Sequence, residues 1–349
     1  MVQKLGIYDP YLHIMGGAEK YVAAIAATYP DAEITLFTDN KNAAAEIERK
    51  FGIQLHKVNT TSWPTSRNLR TKTLKKFDLF IYVTDGSLFW ASAKKNILII
   101  QTPVHIPNIS ISNRLKLLSW NTTLCYSQYM AFYIRRRLKI EPQVVFVPID
   151  VSQKNTTNKK DVIVSIGRFF PNLHNKKQIE LVHAFKKLLN YSQKRVELLL
   201  IGSVDPGGED YAKRVKKEAA GLPITILNNI SHVELETILS TASLYWHATG
   251  FGEDFRLHPE RAEHFGVVTL EAMAHGCVPV VFSGGGQPEL IDHGKNGYLW
   301  HTLDELVSYS LELLRNKVKM SSFSKQAREE SQKYSLERFK EKIYESIKK

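Results

Sequence analysis

Short apolar runs and amphipathic stretches alternate along most of the chain. KLGIYDP (residues 4–10) reads as a buried strand, followed by a glycine-rich loop at Met15–Gly17 and a helix from Ala18 to Thr28. DAEITLFTD, FDLFIYVTD, NILIIQTP, TTLCYSQ and VVFVPID read as further strands, with helical or loop segments between them. The polar stretch Ser152–Lys160 has no apolar periodicity and reads as an interdomain linker. The pattern then restarts: strands at DVIVSIGRF, VELLLIGSV, ITILNNI, LYWHAT and CVPVVFS, helices at LVHAFKKLLN, YAKRVKKEAA, ELETILSTA and Val267–Ala274, and terminal helices. Strands alternating with helices predict parallel sheets covered on both faces. The chain is therefore expected to be an α/β protein with a first lobe over residues 1–150, a second over 161–335, and a C-terminal helix over 336–349 packing back on the first. A cleft between the lobes would lie beyond the carboxyl ends of both sheets, where such sheets bind ligands.

Composition adjusts this picture in a few places. A chain of 349 residues that is 43% hydrophobic can fill two cores of ordinary size. Its two cysteines, Cys125 and Cys277, lie far apart with no partners at metal-ligand spacing, which argues for a reducing compartment. The N-terminus lacks the apolar run of a signal peptide, and no stretch reaches the roughly 18 to 20 apolar residues of a membrane span. A cytoplasmic protein is expected, peripheral on the inner face of a membrane. The net charge of +12 is uneven: residues 1–150 hold 19 Lys+Arg against 11 Asp+Glu, and the remainder 28 against 24. Two basic runs, Arg67–Lys76 and Arg135–Lys139, are either solvated surface or attraction to anionic lipid headgroups. No nucleic-acid-binding motif accompanies them, so no nucleic-acid partner is expected.

The most informative segment is PERAEHFGVVTLEAMAHGCVPVVFSGGGQPELIDHGKNGYLW. VVTLEAMAHG has good helix formers and ends at Gly276, a natural C-terminal cap. Gly266 sits where that helix would begin, so the N–H groups around Gly266, Val267 and Val268 offer an anion site that a phosphate can approach closely. Eight residues of helix span about 12 Å, a length that suits Glu263 at the sugar hydroxyls and Glu271 at the ribose of a sugar nucleotide. Taken alone, two glutamates eight apart are commonplace on a helix surface. Their context is not: the segment resembles the donor-site motif of glycosyltransferase family 4, with Phe265-Gly266 after the first glutamate and Ala272-Met273-Ala274 after the second. Gly285-Gly286-Gln287-Pro288-Glu289 and Asn296-Gly297 are similar to the same family. So are Gly167-Arg168, and the lysine ahead of Ala184-Phe185, which is Lys176 with Lys177 beside it. Gly16-Gly17-Ala18-Glu19 resembles the family's first strand-to-helix loop.

The resemblance implies a GT-B fold, two Rossmann-like lobes facing a cleft, and retaining transfer of a hexose from a GDP- or UDP-sugar to a glycan or lipid-linked acceptor in cell-envelope or polysaccharide synthesis. Arg168 and Lys176 would stabilise the departing diphosphate, with Glu263 on the donor sugar. Gly16, Gly17, Gly266, Val267, Val268 and Glu271 would bind the donor. No metal or other cofactor is expected: Glu253-Asp254 is an acidic pair without the Asp-x-Asp context that holds one. Many members carry a histidine after the strand that here reads NILIIQTP; this chain places Gln101 there and His105 four residues on. Gln101 can hydrogen-bond a hydroxyl but cannot act as a base. That departure keeps a second reading open, a sugar-nucleotide-binding subunit without catalysis. His247, where the family often reads His-Pro-Ser, is a further sugar or acceptor contact, and the loop GFGEDFRLHPERAE that follows is longer than expected.

Overall fold

The computed structural model describes residues 2–151, 159–172 and 174–348. The chain divides into two compact units, residues 1–148 together with Leu336–Lys349, and Ile149–Ser335. The expected linker falls largely on residues 152–158, outside the described residues; its last residue, Lys160, already begins a strand.

Unit 1 runs β1 (Lys4–Tyr8), α1 (Gly17–Ala26), β2 (Glu33–Phe37), α2 (Ala43–Phe51), β3 (Val58–Thr61), α3 (Arg67–Leu74), β4 (Leu79–Val83), β5 (Lys95–Ile99), α4 (Ile111–Leu117), β6 (Thr122–Cys125), α5 (Gln128–Leu138) and β7 (Gln143–Val144). Its parallel sheet has the order β3-β2-β1-β4-β5-β6-β7, so the strand order reverses between β1 and β4. The strand read into VVFVPID shrinks to Gln143–Val144. Phe146 and Val147 beyond it are buried, but Pro148 cannot donate to a ladder.

Unit 2 runs β8 (Lys160–Ile166), α6 (Gln178–Tyr191), β9 (Glu197–Gly202), α7 (Glu209–Glu218), β10 (Ile224–Asn228), α8 (His232–Thr241), β11 (Ala242–His247), α9 (Val267–Ala274), β12 (Val278–Phe282), β13 (Tyr298–Trp300), α10 (Leu303–Arg315) and α11 (Lys317–Ser331). The order β10-β9-β8-β11-β12-β13 reverses between β8 and β11. All six residues of β11 are buried, as expected of a central strand covered on both faces. The last helix, α12 (Leu336–Lys348), belongs to unit 1: Phe339, Ile343 and Ile347 repeat every four residues and are buried, and Phe339 meets Tyr21 of α1 edge-on at 5.5 Å. Among the described residues no helix is long and apolar enough to cross a membrane.

Candidate active site

In an open parallel sheet the crevice for a ligand opens where the strand order reverses, beyond the carboxyl ends of the two strands. In unit 2 those strands are β8 and β11. β8 runs into Gly167-Arg168 and β11 ends at His247. A side chain on Gly167 would meet the Lys176 stem, Cγ lying 2.4 Å from the Cβ position. Glycine here is what lets Lys176 cross the end of β8. Gln178 fixes the same turn, its Nε2 donating to the carbonyls of Gly167 and Arg168, each at 3.1 Å.

Lys176 reaches Glu263, Nζ to Oε2 at 2.6 Å, and His247 Nε2 lies 3.0 Å from the same oxygen. Because a carboxylate only accepts, His247 donates through Nε2–H. Its Nδ1 has no hydrogen-bond partner among the described residues although the ring is buried. Burial alone would raise the Glu263 carboxyl; the Lys176 ammonium and His247 outweigh it and hold the group well below the usual carboxylate range. Burial lowers His247, with Glu263 opposing.

Glu263 precedes the helix rather than standing on it. α9 covers only Val267–Ala274, and its N-cap Gly266 has φ +115°, a conformation that favours glycine. The expectation of two glutamates along one helix is therefore corrected: Glu271 is on α9 and Glu263 is in the loop before it. That loop is clasped by the turn after β12, where Gly286 N–H donates to Glu263 C=O at 2.7 Å. Val267 and Val268 occupy the first turn of α9, whose N–H groups have no intrahelical acceptor.

Arg168 is not drawn into this cluster. It pairs with Asp205 at 2.8 Å and remains 49% exposed, free to turn towards another anion. Lys177 pairs with Glu253 at 2.7 Å, and Glu253 also takes Arg261 at 2.9 Å. The long loop after β11 is thereby tied to the start of α6, and its acidic pair is engaged by cations, Asp254 being held by Arg256.

Sequence reading missed two histidines. His174 and His264 meet edge-on at 4.7 Å beside Lys176 and Glu263. Burial first, and then Lys176, lower His174 to about 4; burial first, and then His174, lower His264 to about 3. Their positions next to Glu263 and just before Lys176 were the available signal.

In unit 1, Gly16 is the N-cap of α1 and its N–H donates to Glu19 Oε2 at 2.5 Å; Gly17 opens the helix, with open space at its Cβ position. Gln101 is buried, its Nε2 donating to Ala18 C=O at 3.2 Å. His105 does not share that space: its ring stacks on Tyr11, centroids 5.0 Å apart, with Nε2 3.2 Å from the Tyr11 hydroxyl.

Residues 148–330, more than half of the chain, match the family described as glycosyl transferases group 1. The chain belongs to this family. Among curated relatives of the group 1 glycosyltransferases, it is 27% identical over 221 residues to a GDP-Man:Man(3)GlcNAc(2)-PP-Dol alpha-1,2-mannosyltransferase of Dictyostelium discoideum, covering 59% of this chain and 42% of that one. It is 25% identical over 199 residues to the human alpha-1,3/1,6-mannosyltransferase ALG2, covering 50% and 45%. The chain thus spans less than half the length of these relatives. A glycosyltransferase from Rickettsia africae superposes with a TM-score of 0.75 at 15% identity, over 99% of this chain and 98% of that one. Anabaena HepE in complex with UDP-glucose superposes at 0.70 with 20% identity over 100% of both. These likenesses bear on the fold, which is GT-B: two Rossmann-like parallel sheets with helices.

Proposed function

We propose that this protein is a retaining hexosyltransferase that moves a hexose from a GDP- or UDP-sugar to a glycan or lipid-linked acceptor without a metal. The observation that carries the reading is the Glu263 carboxylate, kept ionised by Lys176 and His247 at the strand reversal of unit 2. An ionised carboxylate there accepts hydrogen bonds from sugar hydroxyls. Lys176, Arg168 and the first-turn N–H groups of α9 stabilise the departing diphosphate. Glu271, farther along α9, is assigned to the ribose. The bond from C1 to the phosphate oxygen breaks, the acceptor oxygen bonds to C1 on the same face, and the acceptor proton passes to the leaving diphosphate. The engagement of Glu253 and Asp254 by cations supports a site in which side-chain cations handle the diphosphate.

The Dictyostelium and human relatives reported above are named as mannosyltransferases, which supports GDP-mannose as the first donor to try. The basic balance of residues 1–150 supports an anionic membrane surface, at the cytoplasmic face, as the place of action. The deciding experiment assays Glu263→Ala and Arg168→Ala for transfer from GDP-mannose and UDP-glucose, with the anomeric configuration of the product read by NMR and chelator added in parallel. Near-full activity in both variants sinks the assignment. An inverted product removes the retaining step, and chelator sensitivity removes the metal-free one.

A further inference from the structure

Exposed apolar side chains crowd one segment of unit 1. Val104, Ile109, Ile111, Leu115 and Leu118 are 50, 47, 82, 49 and 81% exposed. Ile111, Leu115 and Leu118 stand at i, i+4 and i+7, which places them on one face of α4, and Leu118 continues the helical dihedrals with φ −62° and ψ −18°. No residue of α4 is buried; only Leu117 leans on the core. Arg114 flanks the same face. From Gly86 to Ile140 the chain contains no Asp or Glu and eight Lys+Arg. The basic end of α5 is tied to this segment, Arg137 Nη1 donating to Pro103 C=O at 2.9 Å.

An apolar stripe left bare by the fold calls for a cover. A second copy on a two-fold axis would set the same cations against one another, with no acidic residue in the segment to answer them. An anionic bilayer satisfies both properties at once: phosphates pair with the cations while the stripe enters the acyl boundary. We propose that residues 104–118 are the membrane-contacting element of this protein, with α4 lying in the interface and Ile111, Leu115 and Leu118 immersed. The inference rests on the membrane-surface reading given above and adds which residues make the contact.

The test is co-sedimentation of the full chain with phosphatidylcholine vesicles, with and without phosphatidylglycerol. The wild type binds the phosphatidylglycerol vesicles and salt weakens the binding. Ile111→Ser combined with Leu118→Ser weakens it about tenfold or more, since two immersed side chains are lost. Thermal midpoint and transfer to a soluble acceptor stay unchanged, because both side chains are exposed. If the wild type binds and the serine variant binds equally well, the contact lies elsewhere and this inference is overturned while the membrane-surface reading stands. If the wild type ignores both kinds of vesicle, both fall. Self-association in dilute solution that the serine substitutions abolish hands the face to a second copy and also overturns the inference.

Discussion

Replacing Lys176 by methionine isolates the central charge pair. Methionine keeps an aliphatic stem across Gly167 and deletes the ammonium 2.6 Å from Glu263 Oε2. Two unit charges at that separation attract by about 6 kcal/mol at an effective dielectric constant near 20. The side chains are 20% and 18% exposed, so part of that attraction only offsets the desolvation of the two ions. What remains after removal is a buried carboxylate whose support among the described residues is His247, and the net cost at neutral pH is about 3 kcal/mol. The pH dependence has a definite sign. In the wild type the folded-state pKa of Glu263 lies below its ordinary 4.5, so its contribution is present above 4.5 and is lost as pH falls through the folded value. In the variant burial is opposed less, Glu263 titrates higher, and mild acidification narrows the stability gap to wild type. Glu263→Gln in the Lys176→Met background removes the stranded charge and recovers about 2 kcal/mol. Urea denaturation followed by circular dichroism, for wild type, both single variants and the double variant, measures the coupling. A coupling energy below about 0.5 kcal/mol would refute the claim that these residues stabilise each other.

Other consequences are separable from that one. Arg168→Ala removes an exposed pair with Asp205, so stability changes by less than about 1 kcal/mol while transfer falls at least roughly hundredfold; equal losses in both measurements count against a role at the diphosphate. His174 and His264, lowered to about 4 and about 3 from 6.5, refuse protons that the unfolded chain accepts. Stability therefore drops as pH falls from 6.5 towards those values, and His174→Gln with His264→Gln flattens the slope; an unchanged slope assigns the acid lability elsewhere. Gly285 has φ +63° and its Cβ position lies 2.0 Å from the Glu263 carbonyl oxygen, so Gly285→Ala costs about 3 kcal/mol or more; a urea midpoint close to wild type contradicts that packing.

Much of the fold was legible because its central strands are continuous apolar runs. LFIYV in β4 and LYWH in β11 are buried throughout and stood out as such, although β11 begins at Ala242, which had read as the end of the preceding helix. β3 was missed because its sequence VNTT is polar and it pairs on one side only, and β13 because three residues are too few to show a period. In the site, residue identities were legible but partnerships were not. Lys176 and Glu263 are 87 positions apart, and nothing local distinguishes Lys176 from Lys177; the distinction comes from Gly167, whose missing side chain leaves the lane that Lys176 follows. The same limit applies to Gly266. Its position before an apolar helix was visible, but its φ of +115° is what turns the chain so that Glu263 leaves the helix axis and meets the end of β11.

Each unit places a glycine-led helix at its strand reversal, and the two helix starts differ in one respect that bears on which substrate each takes. At α1 the Gly16 N–H is already given to Glu19, and Asp9 lies close by with its carboxyl raised to about 7, first by burial and then by Glu19. A diphosphate there would meet carboxyl groups that burial has already made reluctant to ionise. A neutral, hydroxyl-bearing group would meet acceptors for its hydrogen bonds instead. Among the described residues no side chain caps the start of α9, and Lys176 and Arg168 each hold one carboxylate. Arg168, half-exposed, can exchange Asp205 for phosphate oxygens at little cost, because one anionic partner replaces another. The asymmetry supports assigning the nucleotide sugar to unit 2 and the acceptor to unit 1. On the proposed reading, a diphosphate that drew Lys176 away would leave Glu263 to His247 and to the sugar hydroxyls, whose hydrogen bonds would replace the support that the lysine gives.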